Sequence, residues 1–180
     1  MAKVLYSATM SLDGFIAGAG GDMSWMTDLQ GPDPMAESVA EQIGSILVGR
    51  RTWDGDDPNK GTDAEGAFGG VWDGPQFVLT HEPPIGNPPP GVTYVSDLVE
   101  AVGAAKDAAG DRYVNILGAD VARQVLAAGL LDEILVFIAP VLLGDGTRLF
   151  DHPGGTNVKL ERLSQSAAAL ATGIWYRVTG

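Results

Sequence analysis

An α/β fold built on a mostly parallel sheet is predicted by three features of this 180-residue sequence. Short apolar runs alternate with helix-like stretches as far as about residue 130, the order that strand-helix-strand crossovers produce. Only strand-like segments follow, which places antiparallel strands at the C-terminal edge of the sheet. The runs "SILVG" and "DEILVFIAPVLLG" are apolar without alternation, the mark of strands covered on both faces.

Each element has its own signal. "KVLYSATM", Lys3 to Met10, predicts the first strand, and "SLDGF" with "AGAGGD" predicts a glycine-rich turn region after it. "PMAESVAEQI" has a proline at a helix start and Met35, Val39 and Ile43 four apart, so a helix is expected over residues 34–43. Ile46 to Val48 predicts a buried strand. Asp54 to Gly74, rich in glycine and aspartate, predicts a long surface loop. "QFVLT" is the next strand, and the prolines of "HEPPIGNPPPG" end it. "VTYV" is a short strand, after which Asp97 and Glu100 open a helix with a capping-box pair. "YVNIL" is a strand leading through Gly118 into the helix "DVARQVLAAG". "DEILVFIAPVLLG", Asp132 to Gly144, predicts one long buried strand, and "VKLERLSQSAAAL" with "TGIWYRV" predicts a closing antiparallel hairpin.

The totals exclude several functions. Hydrophobic residues at 45% and charged residues at 19% are ordinary globular values. A net charge of -12 argues against non-specific binding to nucleic acid or to an anionic membrane. With no cysteine, disulfides, thiolate nucleophiles and zinc-thiolate sites drop out together. The N-terminal segment lacks a signal-type apolar core, and no run approaches the roughly 20 apolar residues of a membrane span. The expectation is one soluble cytoplasmic domain over residues 1–180.

In so acidic a chain an anionic ligand needs a local positive site. Open α/β sheets bind ligands beyond the C-terminal ends of their strands. Gly49-Arg50-Arg51-Thr52 ends one strand and is expected to begin a helix, where free N–H groups, a guanidinium and a hydroxyl suit a phosphate. Taken alone, these four residues read rather as a solvated helix start with ordinary surface ion pairs. Gly118-Ala119-Asp120 ends a second strand and opens another helix, and Thr80-His81 ends a third. The three together suit a ligand with several phosphates, such as a dinucleotide.

Other motifs are missing. Gly18-Ala19-Gly20-Gly21 is not followed by the last glycine of G-x-G-x-x-G, and there is neither a P-loop nor a G-x-S-x-G elbow. His81 and His152 lie far apart, and Asp54, Asp56 and Asp57 miss calcium-loop spacing, so no metal site is expected. A chain so poor in nucleophiles and bases is compatible with hydride transfer, where the cofactor carries the reactive group.

Four segments occur in order: "SLDGFIAG" (11–18), "ILVGRRTWD" (46–54), "FVLTHEPP" (77–84) and "NILGADVARQVLAAGLLDEILVFIAPVLLGDGTRLF" (115–150). Together they resemble the dihydrofolate reductase-like superfamily, and within it the reductase domain at the C-terminus of the riboflavin-biosynthesis deaminase-reductase. The resemblance implies a three-layer fold: a central, mostly parallel mixed sheet of about eight strands, helices on both faces and a C-terminal antiparallel hairpin. It also implies NADPH as hydride donor. By position, Gly49, Arg50, Arg51 and Thr52 would hold the pyrophosphate and adenosine side, with Thr80 and His81 near the 2′-phosphate. Leu117, Gly118, Ala119, Asp120 and Val121 would wrap the phosphates and nicotinamide ribose. Ala8 and the Ser11-to-Ile16 segment would flank nicotinamide and substrate, Ser11 and Gly14 on the substrate side. Trp25 stands where a pocket tryptophan is expected.

Dihydrofolate reductases carry a Gly-Gly pair with a cis peptide where this chain has Gly118-Ala119; a cis bond there would cost about 3 kcal/mol. Their pterin-protonating acid has three candidates here, Asp28, Asp33 and Glu37, none in clear register. Asp13 either faces substrate or makes a turn with Gly14. Arg148 either meets a substrate phosphate or lies at a surface or subunit contact. The resulting expectation is a reductase of the 5-amino-6-(5-phosphoribosylamino)uracil reductase type, acting on a small heterocyclic or sugar-linked carbonyl or imine. Asp13 or Asp28 would orient substrate or relay a proton, and a homodimer would form along the end of the sheet. Dihydrofolate reduction and a non-catalytic NADP-binding module are the alternatives.

Overall fold

The computed structural model describes every residue except Gln30, Asp56, Pro58 and Val71. Among the described residues ten strands occur in chain order: β1 Val4–Ser11, β2 Phe15–Ala17, β3 Ile43–Gly49, β4 Gln76–Leu79, β5 Val92–Val95, β6 Tyr113–Leu117, β7 Glu133–Ala139, β8 Thr147–Arg148, β9 Leu160–Ala167 and β10 Thr172–Val178. The α-helices are α1 Pro34–Glu41, α2 Arg50–Trp53, α3 Leu98–Ala109 and α4 Ala119–Ala127. Eight strands make one sheet in the order β5-β4-β3-β6-β1-β7-β10-β9. Pairing is parallel from β5 to β7 and antiparallel from β7 through β10 to β9. That is the predicted mixed sheet with its C-terminal hairpin. β2 and β8 form a separate two-stranded ribbon.

Both faces are covered. Ala101, Val102, Ala105 and Ala109 of α3 and Val121, Ala122 and Val125 of α4 pack on Val4, Tyr6, Val114 and Ile116. On the other face Val39, Met35 and Ala36 of α1 cover Leu5, Leu135 and Phe137. The alanine-rich side of α3 lets that helix lie close: a Cβ on Gly44 would stand 2.6 Å from the Ala109 carbonyl oxygen. Substitution there forces β3 and α3 apart.

Two boundaries and the packing of one loop differ from the sequence reading. The helix expected to reach Ile43 stops at Glu41, and β3 begins at the fully buried Ile43. The long strand expected to reach Gly144 ends at Ala139, because Pro140 has no N–H to continue the ladder. Leu142 beyond it is 71% exposed. The 54–74 segment is a loop exposed at most of its described positions, as expected, but it also carries Ala67, Phe68 and Trp72, beside Trp53 of α2, onto Ile43, Ile46, Val48 and Val78, with Trp72 Nε1 donating to the Ile43 carbonyl at 3.3 Å.

At the N-terminal end of the parallel strands lies a buried carboxylate that the sequence reading missed. Glu133 is 2% exposed and accepts from Lys3 Nζ at 2.8 Å, Tyr113 Oη at 2.9 Å and Trp175 Nε1 at 2.8 Å. The rings of Tyr113 and Trp175 close over it, 5.8 Å apart. Burial, then the neighbouring Glu133 carboxylate, pushes the Tyr113 hydroxyl pKa up. Replacing Glu133 with leucine leaves two half-buried donors without an acceptor, at about 1–3 kcal/mol each. Lys3 is half-exposed and its removal leaves those two bonds intact. In urea unfolding, Glu133→Leu is expected to lose about 2–4 kcal/mol and Lys3→Met less than about 1 kcal/mol. Equal losses would overturn the assignment of the main role to the two aromatic donors.

Candidate functional site

Parallel strands β1, β3 and β6 bring the ends Ser11, Gly49 and Leu117 to one edge of the sheet. Two of the expected segments touch there. A Cβ on Gly118 would lie 2.3 Å from Thr52 Oγ1, and one on Gly49 would lie 3.0 Å from Val121 Cγ2. The turn after β3 and the turn after β6 therefore interlock, and only glycine fits at Gly118, whose φ of 98° also favours it. Every peptide bond among the described residues is trans, Gly118-Ala119 included.

α4 starts without a side-chain cap, and its first helical bond runs from Ala122 N–H to the Gly118 carbonyl. The N–H groups of Ala119, Asp120 and Val121 have no acceptor among the described residues. The Val121 side chain is core, packed against Gly49, so that residue can offer only its backbone. Asp120 spends its carboxylate on Arg123 and Gln124, both at 2.9 Å, and Arg123, Gln124 and Arg51 hold its pKa below the usual range. α2 is a single turn of four residues, so the helix end expected at Arg50 reduces to its side chains.

The two arginines diverge. Arg50 pairs through Nε with Asp54, which raises its pKa, and its Nη1 reaches the Glu82 carbonyl at 3.3 Å. Arg51 has no ion pair among the described residues and lies beside Asp120, at the start of α4. Thr80 is buried, with its hydroxyl accepting from Glu82 N–H at 3.2 Å, while His81 is exposed. The loop acids are partly committed: Asp54 to Arg50, and Asp57 to the N–H groups of Asn59 and Gly66. Asp56 lies outside the described residues.

On the other side of the strand ends, Asp13 is a fastener. Its carboxylate accepts from Ser11 Oγ at 2.5 Å, Leu143 N–H at 3.1 Å and Gly144 N–H at 2.7 Å, tying the turn after β1 to the segment after β7. Ser11 Oγ in turn accepts from Phe15 N–H at 3.0 Å. The Ser11 hydroxyl and the Gly144 and Leu143 amides lower the Asp13 pKa to about 2. Such a carboxyl is ionised at neutral pH with its lone pairs engaged, which suits positioning rather than proton delivery. Gly14, at φ 89°, completes the turn by donating to the Ser11 carbonyl, which is the turn-making alternative for Asp13-Gly14.

The remaining candidates lie apart from these bonds. Ala8 is half-buried on β1. Asp28 is exposed on a 3-10 turn, Ser24–Leu29, with no hydrogen bond or ion pair among the described residues. Asp33 caps α1, accepting from Met35 and Ala36 N–H at 2.9 and 3.2 Å. Trp25 is half-buried, with Nε1 shielded from water and lacking an acceptor. Asn115, missed from sequence, is fully buried and accepts from Ser7 Oγ at 2.7 Å, while its Nδ2 also lacks a partner. An interlocked glycine cradle, three unmet N–H groups, a free guanidinium and an unmet indole N–H fit a nucleotide cofactor.

Comparison with known proteins identifies the family and the fold. The family model described as the RibD C-terminal domain matches residues 2–172. An uncharacterized protein of Bacillus subtilis, YyaP, is 28% identical over 158 residues, which span 82% of this chain and 80% of that protein. A crystal structure of a putative riboflavin biosynthesis protein from Shewanella sp. PV-4 superposes with TM-score 0.73 at 24% identity, covering all of both chains. The Thermotoga maritima diaminohydroxyphosphoribosylaminopyrimidine deaminase/5-amino-6-(5-phosphoribosylamino)uracil reductase gives TM-score 0.67 at 19% identity, over 99% of this chain and 57% of that one. The chain belongs to the RibD C-terminal domain family and has its dihydrofolate reductase-like fold.

The Asp13 fastener has a pH signature. Its carboxyl pKa is lower folded than unfolded, so its stabilisation is full above about pH 4 and is lost as pH falls towards 2. Melting temperature followed from pH 5 to 2 is expected to fall less steeply for Asp13→Asn than for the unmodified protein. Parallel curves would overturn this role.

Proposed function

We propose that this member of the RibD C-terminal domain family is an NADPH-dependent reductase of the riboflavin-biosynthesis type. It would act on a small heterocyclic or sugar-linked carbonyl or imine. The observation that carries the reading is the interlock of Gly118 with Thr52, which aligns the free N–H groups of Ala119, Asp120 and Val121 beside the unpaired Arg51. A dinucleotide's phosphates match that set of donors. The bound nicotinamide would supply the hydride.

The chain's own part is binding and orientation. Arg51 meets the diphosphate. Arg50, drawn by Asp54 and the Glu82 carbonyl, stands towards Thr80 and His81 and reads the 2′-phosphate side. Ala8 and the Ser11-to-Gly14 turn flank the nicotinamide and substrate, the turn held still by Asp13. Trp25 Nε1 offers a donor to a bound ring. Of Asp13 and Asp28, the two considered for proton relay, Asp28 is the one left unengaged. Dihydrofolate reduction is the second reading: Asp33 is committed to capping α1, which leaves Asp28 and Glu37 as its candidate acids.

The deciding assay follows NADPH oxidation at 340 nm with 5-amino-6-ribosylamino-uracil phosphates and with dihydrofolate. Turnover of the pyrimidine, and not of dihydrofolate, is expected. Arg50→Ala should weaken NADPH about tenfold more than NADH, whereas Arg51→Ala should weaken both alike, one decade corresponding to about 1.4 kcal/mol. NADPH binding without oxidation of either substrate would instead mean a non-catalytic module.

The subunit arrangement is proposed as a homodimer. β9 is an edge strand, exposed along nearly its whole length, with Leu160 45% and Leu163 38% exposed. A second copy would cover it. Light scattering after gel filtration is expected to give a dimer mass that falls to monomer in Leu160→Lys/Leu163→Lys, and a monomeric unmodified chain would refute the arrangement.

A further inference from the structure

Between the start of α4 and the segment after β7 lies a cavity of about 440 Å³. Arg51, Arg123 and Arg148 line it, three of the 11 lysines and arginines in a chain of net charge -12. Arg123 is committed to Asp120. Arg51 and Arg148 form no ion pair among the described residues. Three aspartates line it too, and none pairs with Arg51 or Arg148: Asp120 is held by Arg123 and Gln124, Asp145 accepts from the Gly146 N–H at 2.8 Å, and the exposed Asp151 forms no ion pair among the described residues.

Arg148 is presented rather than loose. Its strand β8 pairs with β2, Phe15 opposite Arg148, and its guanidinium carbon stands 4.6 Å from the centre of the Phe15 ring. Phe15 is buried and anchored by its N–H to Ser11 Oγ. One residue before β8, Gly146 packs so closely on β2 that a Cβ would fall 2.0 Å from the Ala17 carbonyl oxygen. A guanidinium over an aromatic face keeps its N–H edge free for an oxyanion.

We propose that Arg148 is a phosphate clamp, gripping a phosphate ester from the wall opposite Arg51. The inference rests on the cofactor reading above and deepens it, since that reading used only the strand-end side of the cavity. The phosphoryl group belongs either to the dinucleotide's diphosphate or to a sugar phosphate of the substrate, which present the same oxygens to a guanidinium fork.

The test uses the full chain and the variants Arg148→Ala and Arg148→Lys. Dissociation constants are measured for NADPH by tryptophan fluorescence and for ribose 5-phosphate by calorimetry, and melting temperatures check folding. Arg148→Ala is expected to weaken at least one of the two ligands about tenfold or more, with Arg148→Lys recovering part of the loss because the charge remains but the fork does not. Loss for NADPH identifies the diphosphate as the group held. Loss for ribose 5-phosphate alone identifies the substrate's phosphate. Unchanged constants for both, with the unmodified chain binding NADPH, would overturn the clamp and leave the cofactor reading standing. An unmodified chain that binds neither ligand would overturn both.

Discussion

The buried carboxylate of Glu133 ties together the four strands on which the rest of the sheet is built. Its three donors come from the residue just before β1, from β6 and from β10, while Glu133 itself opens β7. Those strands are adjacent in the order β6-β1-β7-β10. A charge taken out of water is tolerated only when its lone pairs are met, and here two of the donors are aromatic side chains that also shield it. A slip of any one strand by a residue would turn its donor to the opposite face of the sheet. The network thus fixes register at the N-terminal end, and register there decides which residues arrive at the C-terminal end.

At that far end the chain uses contact rather than charge to set geometry. Thr52 presses on Gly118 and Val121 presses on Gly49, so two turns separated by more than sixty residues behave as one surface. The absence of a cap on α4 leaves three N–H groups directed outward from that surface. Across the cleft, Asp13 holds the turn after β1 against the segment after β7 with three hydrogen bonds. Both walls are therefore preorganised, which lowers the entropy a ligand must overcome on binding.

Much of this was legible in the sequence. Strand-helix alternation foretold the mixed sheet, and the positions of Gly49-Arg50-Arg51-Thr52 and Gly118-Ala119-Asp120 foretold which junctions meet. What escaped has specific causes. Glu133 reads as an ordinary first residue of an apolar strand, because its partners are 20, 42 and 130 residues away. The 54–74 segment reads as solvent-exposed because glycine and aspartate outnumber the aromatic residues that pack it on the sheet. Pro140 interrupts an apolar run whose composition alone gives no reason to stop, apart from the missing N–H.

The amino-acid order by itself determined the sequence of elements, the class of the sheet and the two glycine turns at its edge, since periodicity, proline and glycine act locally. It left Arg50 and Arg51 equivalent, and Asp13 and Asp28 as equal candidates for one task. Tertiary structure separated each pair. Asp54 and Glu82 draw Arg50 one way, and the start of α4 leaves Arg51 facing the cavity. Leu143 and Gly144, some 130 residues on, make Asp13 a fastener. A side chain's chemistry is set by the donors and acceptors that long-range packing brings to it, and no local pattern encodes which those will be.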